Sequence, residues 1–74
     1  MRNYRYLISD NFQAETIAKD LQIQLNVNRF DDVTIRAVNA RNEVIVQVPV
    51  ASSYSLEETM DSFMENYKTG VILE

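Results

Sequence analysis

The segment that most constrains the fold is residues 32–50, DVTIRAVNARNEVIVQVPV, where apolar and polar side chains alternate on both sides of a polar stretch. Alternation with a period of two is typical of a β-strand that buries one face. We therefore predict a β-hairpin that turns around residues 40–42. It is expected to end at Pro49, because proline lacks the N–H that a sheet ladder requires.

The predicted hairpin has one apolar face and one mixed face. A two-residue loop of Arg41 and Asn42 sets the cross-strand pairs, which are Ala37 with Val46, Ile35 with Val48, and Val33 with Val50. The apolar face comprises Val33, Ile35, Ala37, Val44, Val46 and Val48. The mixed face comprises Thr34, Arg36, Val38, Ile45 and Gln47. Because a slip of one residue would exchange the faces, the apolar pattern decides which face meets the core.

The N-terminal part of the chain predicts a strand and then a helix. Residues 4–9, YRYLIS, are rich in aromatic and branched residues and lead into a Ser-Asp-Asn turn, which favours a strand. A helix is expected from about residue 11, with Asp10 and Gln13 as a weak variant of the capping box. Its inward stripe at helical spacing comprises Ala14, Ile17, Ala18, Leu21 and Leu25.

The second half of this helix has two interpretations. Residues 21–27, LQIQLNV, alternate like a strand but also continue the helical stripe. A reversal from helix to strand needs turn residues, and only Asp20 is available there. By contrast, Asn26 and Asn28 can adopt the left-handed conformation that ends a helix. We therefore predict one helix over residues 11–26.

A second helix is predicted over residues 52–70, SSYSLEETMDSFMENYKTG. Ser55 is expected as its N-cap, with Glu58 completing a capping box, and Gly70 as its C-terminal glycine. Its apolar stripe comprises Leu56, Met60, Phe63, Met64 and Tyr67. The apolar residues 71–73 are expected either to pack on the core or to add a short final strand.

The order β-α-β-β-α, with a possible final strand, predicts a single α+β domain over residues 1–74. This is the split βαβ arrangement of ferredoxin-like architectures, an open-faced sandwich with two helices on one face of an antiparallel sheet. The resemblance is one of architecture, and such folds carry many unrelated functions. The function of such a domain therefore depends on its particular surfaces and side chains.

Composition argues against catalysis. The chain has no histidine and no cysteine, so it lacks an imidazole base and a thiolate nucleophile, and a zinc site is not expected. Its one glycine excludes the Gly-rich loops that hold phosphates. We expect no enzyme activity, no metal and no cofactor. No apolar run is suited to a signal peptide or a membrane span, which predicts a cytoplasmic protein that does not bind membranes.

Charge is unevenly distributed along the chain. Residues 1–41 carry six basic and five acidic side chains, a net +1, whereas residues 42–74 carry one basic and six acidic side chains, a net −5. An acidic chain is poorly suited to phosphate backbones, because affinity there comes from Lys and Arg. Tyr4 and Tyr6 resemble the stacking aromatics of RNA-binding sheets, but the third strand, EVIVQVPV, has no aromatic residue. We therefore expect Tyr4, Tyr6 and Ile8 to face the core, without direct nucleic-acid binding.

The first candidate binding site is an acidic stripe on the second helix, formed by Glu57, Glu58, Asp61 and Glu65. These residues fall within about 100° of one another on a helical wheel. The helix dipole favours acidic residues in the first turn, which accounts for Glu57 and Glu58 only. We hypothesise that the stripe binds a basic surface of a partner protein, as an inhibitor or adaptor, and the alternative is a solvated face. In size and charge the chain resembles small acidic inhibitors encoded by phages, without a shared motif.

The alternative function is a homodimeric structural or regulatory domain. On the first helix, Ile23 points away from the inward stripe, on the side of Phe12, with Val27 following. Three such apolar residues together would suggest a self-association surface. In the competing interpretation, Phe12 folds back over the helix start and Val27 lies past the helix end. The open sheet face offers a second surface, formed by Leu7, Val38 and Ile45 and flanked by Arg5 and Arg36.

Overall fold

The computed structural model describes residues 2–30, 32–49 and 54–73. The elements in these ranges are β1 (Arg2–Ile8), α1 (Ala14–Val27), β2 (Thr34–Val38), β3 (Glu43–Val48), α2 (Tyr54–Met64) and β4 (Lys68–Leu73). The strands form an antiparallel sheet in the order β2-β3-β1-β4. The predicted α+β class and ferredoxin-like order are confirmed, and residues 71–73 belong to a final strand.

The buried side chains of the described residues form a hydrophobic core between the helices and one face of the sheet. The whole predicted inward stripe of α1 is buried, so the helical interpretation of residues 21–27 is confirmed. The sheet contributes Tyr6, Ile8, Val44, Val46 and Val48, and Val33 joins them from just before β2. The core side of α2 consists of Leu56, Met60 and Met64, with Phe63 and Tyr67 partly buried beside them.

The hairpin between β2 and β3 has the predicted faces but a different register. Ala37 pairs with Val44 and Ile35 pairs with Val46, so the predicted pairs are wrong by two residues. A shift by an even number leaves every side chain on its predicted face. The predicted partner of Val33, Val50, lies outside the described residues.

The register differs because the loop is longer than the predicted pair of residues. Asn39–Arg41 form a short 3-10 turn, and the chain then passes through Asn42 before β3 begins. Asn42 has a φ of 52°, in the left-handed region, which asparagine adopts more readily than most residues. Its N–H bonds to the carbonyl of Asn39 at 3.2 Å and closes the loop.

The side chain of Asn42 also joins distant parts of the chain. Its Oδ1 accepts the N–H of Ala14, at the start of α1, at 2.8 Å. Its Nδ2 lies 3.2 Å from the carbonyl oxygens of Ile8 and Ser9, and 2.9 Å from that of Phe12. Asn42 therefore fixes the β2–β3 loop against both the end of β1 and the start of α1. The predicted capping pair, Asp10 with Gln13, is wrong, because Gln13 is itself the N-cap.

The C-terminal end of α1 is a Schellman motif. The N–H of Phe30 bonds to the carbonyl of Leu25 at 2.9 Å, and the N–H of Arg29 bonds to that of Asn26 at 3.0 Å. The left-handed residue is Arg29, with a φ of 65°, rather than Asn26 or Asn28 as predicted. Phe30 packs against the core. The helix therefore ends where Phe30, which is partly buried, packs on the core, and the left-handed position is not occupied by an asparagine.

The predicted ends of α2 are also wrong. The helix begins at Tyr54, so Ser55 lies inside it and cannot be its N-cap in a capping box with Glu58. Residues 52 and 53 of the predicted helix lie outside the described ranges. The helix ends at Met64, and Gly70 lies in β4 opposite Leu7. The reversal happens earlier because the N–H of Tyr67 bonds to Met64 and its carbonyl accepts the N–H of Ser9.

The role of Asn42 can be tested with a pair of substitutions. Asn42→Gly keeps the left-handed backbone but removes the side chain, and we expect it to lower the free energy of unfolding by about 2–4 kcal/mol, since each lost hydrogen bond contributes about 0.5–1.5 kcal/mol. Asn42→Ala should lose about 1 kcal/mol more, because a Cβ is disfavoured at positive φ. Urea unfolding of both variants measures these losses. Equal stabilities for parent and Asn42→Gly would contradict the side chain's structural role.

Candidate protein-binding surface

The acidic residues of α2 are positioned by a match between helix and strand spacing. Four residues of a helix advance by about 6.0 Å and two residues of a strand by about 6.6–6.8 Å. Glu57 and Asp61 of α2 therefore reach successive tyrosines of β1 that point to the same face, Tyr4 and Tyr6. The tyrosine hydroxyls donate hydrogen bonds to the two carboxylates.

These bonds attach α2 to the sheet. The Tyr4 hydroxyl donates to Oε1 of Glu57, and the guanidinium of Arg2 lies 2.8 Å from the same oxygen. The Tyr6 hydroxyl donates to Oδ1 of Asp61 at 3.2 Å. Two of the predicted partner-binding carboxylates, Glu57 and Asp61, thus have a structural role that the sequence analysis did not identify. Asp61 remains exposed at the surface.

The two tyrosines are held in their protonated, donating form. Burial raises the pKa of Tyr6 strongly, and the charge of Asp61 and its hydrogen bond add to the effect. Burial also raises the pKa of Tyr4, with the hydrogen bond to Glu57 as the next cause. The rings of Tyr4 and Tyr6 stack with centroids 6.3 Å apart. Near neutral pH each hydroxyl therefore stays protonated and donates a hydrogen bond to its carboxylate.

The other two predicted residues, Glu58 and Glu65, are exposed. Glu58 lines an open groove of about 490 Å³ between the helices. The groove is also lined by Gln24 of α1, by the C-cap Asn28, and by Ser55 and Thr59 of α2. The lining is largely polar, which is unlike the mostly apolar pockets that hold small molecules. The acidic stripe is thus divided into a structural side toward β1 and a solvent side.

Strand β4 adds an apolar surface that the sequence analysis did not assign to a site. Val71, Ile72 and Leu73 are 44%, 46% and 63% exposed. Val71 pairs with Tyr6 and Leu73 pairs with Tyr4. Because cross-strand partners share a face, Val71 and Leu73 lie on the helix side of the sheet, next to the tyrosines that bind α2.

Tyr54, at the start of α2, extends this surface. Its side chain is 77% exposed, and it lies two helical turns before Asp61 on the same side of the helix. We define the α2–β4 surface by its exposed members, which are Tyr54, Glu58, Asp61, Glu65, Val71 and Leu73. The surface combines aliphatic area on β4 with an aromatic ring and carboxylates from α2 and its C-terminal end.

The predicted self-association residues do not form one group. Ile23 and Val27 are 61% and 73% exposed, and they share a face of α1 at i,i+4 spacing. Phe12 lies before the helix and packs edge-to-face on Tyr67, with ring centroids 4.9 Å apart. The predicted outward stripe is therefore reduced to two residues, because Phe12 contacts Tyr67, in the turn between α2 and β4, instead.

The open face of the sheet carries an ion pair among apolar neighbours. Nη1 of Arg5 lies 3.1 Å from Oε1 of Glu43. Glu43 is buried although it is acidic. Ile45 lies between Arg5 and Arg36 as their cross-strand partner. Its aliphatic neighbours on this face are Leu7, Val38 and Ile72.

The strength of the tyrosine–carboxylate bonds can be measured with hydroxyl deletions. Tyr6→Phe keeps the buried ring and removes the donor to Asp61, so we expect a loss of about 0.5–1.5 kcal/mol in unfolding free energy. The matched control is Tyr54→Phe, which removes an exposed hydroxyl and should change little. Equal losses in both variants, measured by urea unfolding, would contradict the proposed attachment of α2.

Alkaline unfolding tests the raised pKa of Tyr6. Below the usual tyrosine pKa of about 10, the Tyr6 hydroxyl keeps its proton in both the folded and the unfolded chain. Its contribution to the free energy of unfolding is therefore independent of pH in that range. As the pH rises above that value, the unfolded chain releases the proton first and stability falls. We expect Tyr6→Phe to show a shallower fall with pH than the parent, in urea unfolding at a series of alkaline pH values. Parallel curves would show that the Tyr6 pKa is not raised.

None of the helices in residues 2–30, 32–49 and 54–73 is long and apolar enough to cross a membrane. Within the same residues, no three carboxylates are grouped to hold a metal ion. Comparison with protein-family models, curated proteins and solved structures gives no match to this chain. Fold alone does not identify function, and the α2–β4 surface is the feature of this chain best suited to binding a protein.

Proposed function

We propose that this protein is a non-catalytic binding module that holds a basic partner protein on its α2–β4 surface. The observation that carries the proposal is the position of exposed Val71 and Leu73 as cross-strand partners of the two tyrosines that hold Glu57 and Asp61 of α2. Protein interfaces combine an apolar centre with a polar rim. The α2–β4 surface has both parts on adjacent elements.

The sign of the charge identifies the class of partner. Residues 42–74 have a net charge of −5, while residues 1–41 have a net charge of +1. Complementary charge accelerates encounter and rejects partners of the same sign. A partner with Lys and Arg around an apolar centre fits this surface, and a module that covers such a surface acts as an inhibitor or adaptor.

The structural side of the acidic stripe favours binding as well. Glu57 and Asp61 are held by Tyr4, Tyr6 and Arg2 before any partner arrives. Ordering flexible side chains at an interface costs about 0.5–1.5 kcal/mol each. Carboxylates that are already ordered avoid much of this cost, and Asp61, which remains exposed, is available to a cationic partner group.

Charge reversal tests the proposal without disturbing these structural bonds. Glu58→Lys with Glu65→Lys changes only the exposed carboxylates, so the chain should stay folded while retention of its protein partners collapses. The matched control, Glu15→Lys with Asp32→Lys, makes the same change in net charge on exposed residues near the β2 side. Both double variants have a net charge of 0, since −4 + 4 = 0.

The measurement is a tagged pull-down from cell lysate, with mass spectrometry and a salt series. Proteins that the parent and the control retain, that the Glu58, Glu65 variant loses and that raised salt elutes support the proposal. If the same proteins remain on all three baits at similar strength, the acidic residues do not bind the partner and the proposal is wrong.

The second candidate function is a homodimer, favoured by the apolar neighbours on the open sheet face. Ile45→Glu places a carboxylate between Arg5 and Arg36, where the folded monomer can accommodate it, and should convert a dimer that uses this face to monomer. Ile23→Glu makes the equivalent test on α1. Light scattering reports the mass. A parent that is monomeric at all concentrations would exclude the homodimer.

A further inference from the structure

We infer that β4 is a docking edge to which an extended segment of the basic partner adds as a further strand of the sheet. This inference rests on the proposed function and specifies the form of the partner. Strand order places β4 at one end of the sheet, and no strand in the described ranges pairs with its outer side. Alternate residues of such a strand direct their N–H and C=O groups outward, where a second chain can pair with them.

The composition of β4 is unusual for an edge. Edge strands are normally protected by charged side chains, proline or a bulge. In β4 the charge is at the start, on Lys68, and the register irregularity lies near the same end, between Leu7 and Ile8 of β1. Residues 70–73, Gly-Val-Ile-Leu, are regular, uncharged and without proline. The opposite edge, β2, presents the polar and charged side chains of Thr34 and Arg36.

The two faces of β4 specify different side chains in the added strand. On the helix side, the new strand would lie beside Val71 and Leu73, on the same face of the sheet as α2. Lys and Arg suit these positions, because their aliphatic stems cover apolar surface while their charged ends reach outward. On the opposite face it would lie beside Ile72, which favours an aliphatic residue. The occupant is therefore a segment with a basic residue at every second position and aliphatic residues between them.

A second copy of this chain fits the edge less well. Two β4 strands that pair antiparallel in one sheet are related by a twofold axis perpendicular to that sheet, so both α2 helices lie on the same face. Their exposed carboxylates, including Asp61 and Glu65, would then approach each other. Like charges that meet in an interface oppose association, so the charge of α2 selects a basic partner over a second copy.

The test uses two blocked synthetic peptides of equal composition with isotope-labelled protein. Lys-Val-Lys-Val-Lys-Val can form the alternating strand, whereas Lys-Lys-Lys-Val-Val-Val has the same charge without the alternation. Amide hydrogen exchange is followed by NMR for residues 70–73. The expected result is that the alternating peptide slows exchange of the amides that face away from β1, and that the block peptide does not.

The other outcomes overturn the inference in distinguishable ways. Binding of both peptides with shifts in α2 but unchanged exchange in β4 rejects strand addition and leaves the acidic surface as the binding site. Binding of neither peptide rejects strand addition and counts against the proposed function as well. Slowed exchange in β4 without peptide, increasing with protein concentration, identifies a second copy as the occupant.

Substitutions in the strand provide an independent check. Val71→Lys with Leu73→Lys places positive charge against the basic side chains of the alternating peptide and should weaken its binding roughly tenfold or more. Thr34→Lys on the exposed opposite edge is the control and should leave binding within about twofold of the parent. Circular dichroism verifies that each variant is folded. Equal affinities for all three proteins would reject β4 as the docking edge.

Discussion

The rest of this fold depends on the hydrogen bonds that the side chain of Asn42 makes to the end of β1 and the start of α1. Residue 42 closes the β2–β3 loop through its left-handed backbone, and its amide group binds Ala14 together with the end of β1. A domain of 74 residues without cysteine has no disulfide to stabilise it, so packing and such polar contacts have to position its elements. By fixing the hairpin against the start of α1, Asn42 determines where β3 lies beside β1 and so where the core residues of the sheet meet the helices.

The hydroxyls of Tyr4 and Tyr6 perform the corresponding task for α2. They make Glu57 and Asp61 part of the structure, so the acidic stripe is both an attachment to the sheet and a charged surface. Carboxylates that repel one another along a helix are tolerated because some of them are compensated by donors on β1, while Glu58 and Glu65 remain available at the surface.

Periodicity was sufficient to predict the order of the elements, the buried stripe of α1 and the faces of the hairpin. It could not predict the hairpin register, because a four-residue loop and a two-residue loop preserve the same faces. The closure of α1 after Val27, through left-handed Arg29, is accompanied by packing of Phe30 on the core, and the start of α1 is bound by Asn42 from another part of the chain. Local sequence contains neither contact. For the site, charge spacing identified the carboxylates, but their division between β1 and solvent required the position of the tyrosines, and the exposure of Val71 required the strand order.

The pairing of a helix with a strand at unequal spacings limits how this protein can change in evolution. The two repeats differ by about 0.6–0.8 Å per step, so only a short run of hydroxyl–carboxylate pairs can stay aligned, and the next position of β1 is already aliphatic, Ile8. Loss or gain of one residue between Tyr4 and Tyr6 would send them to opposite faces of the sheet, and the same change between Glu57 and Asp61 would rotate one relative to the other by about 100° around the helix axis. Length variation among descendants should therefore accumulate in the loops, while β1 and α2 keep their lengths together.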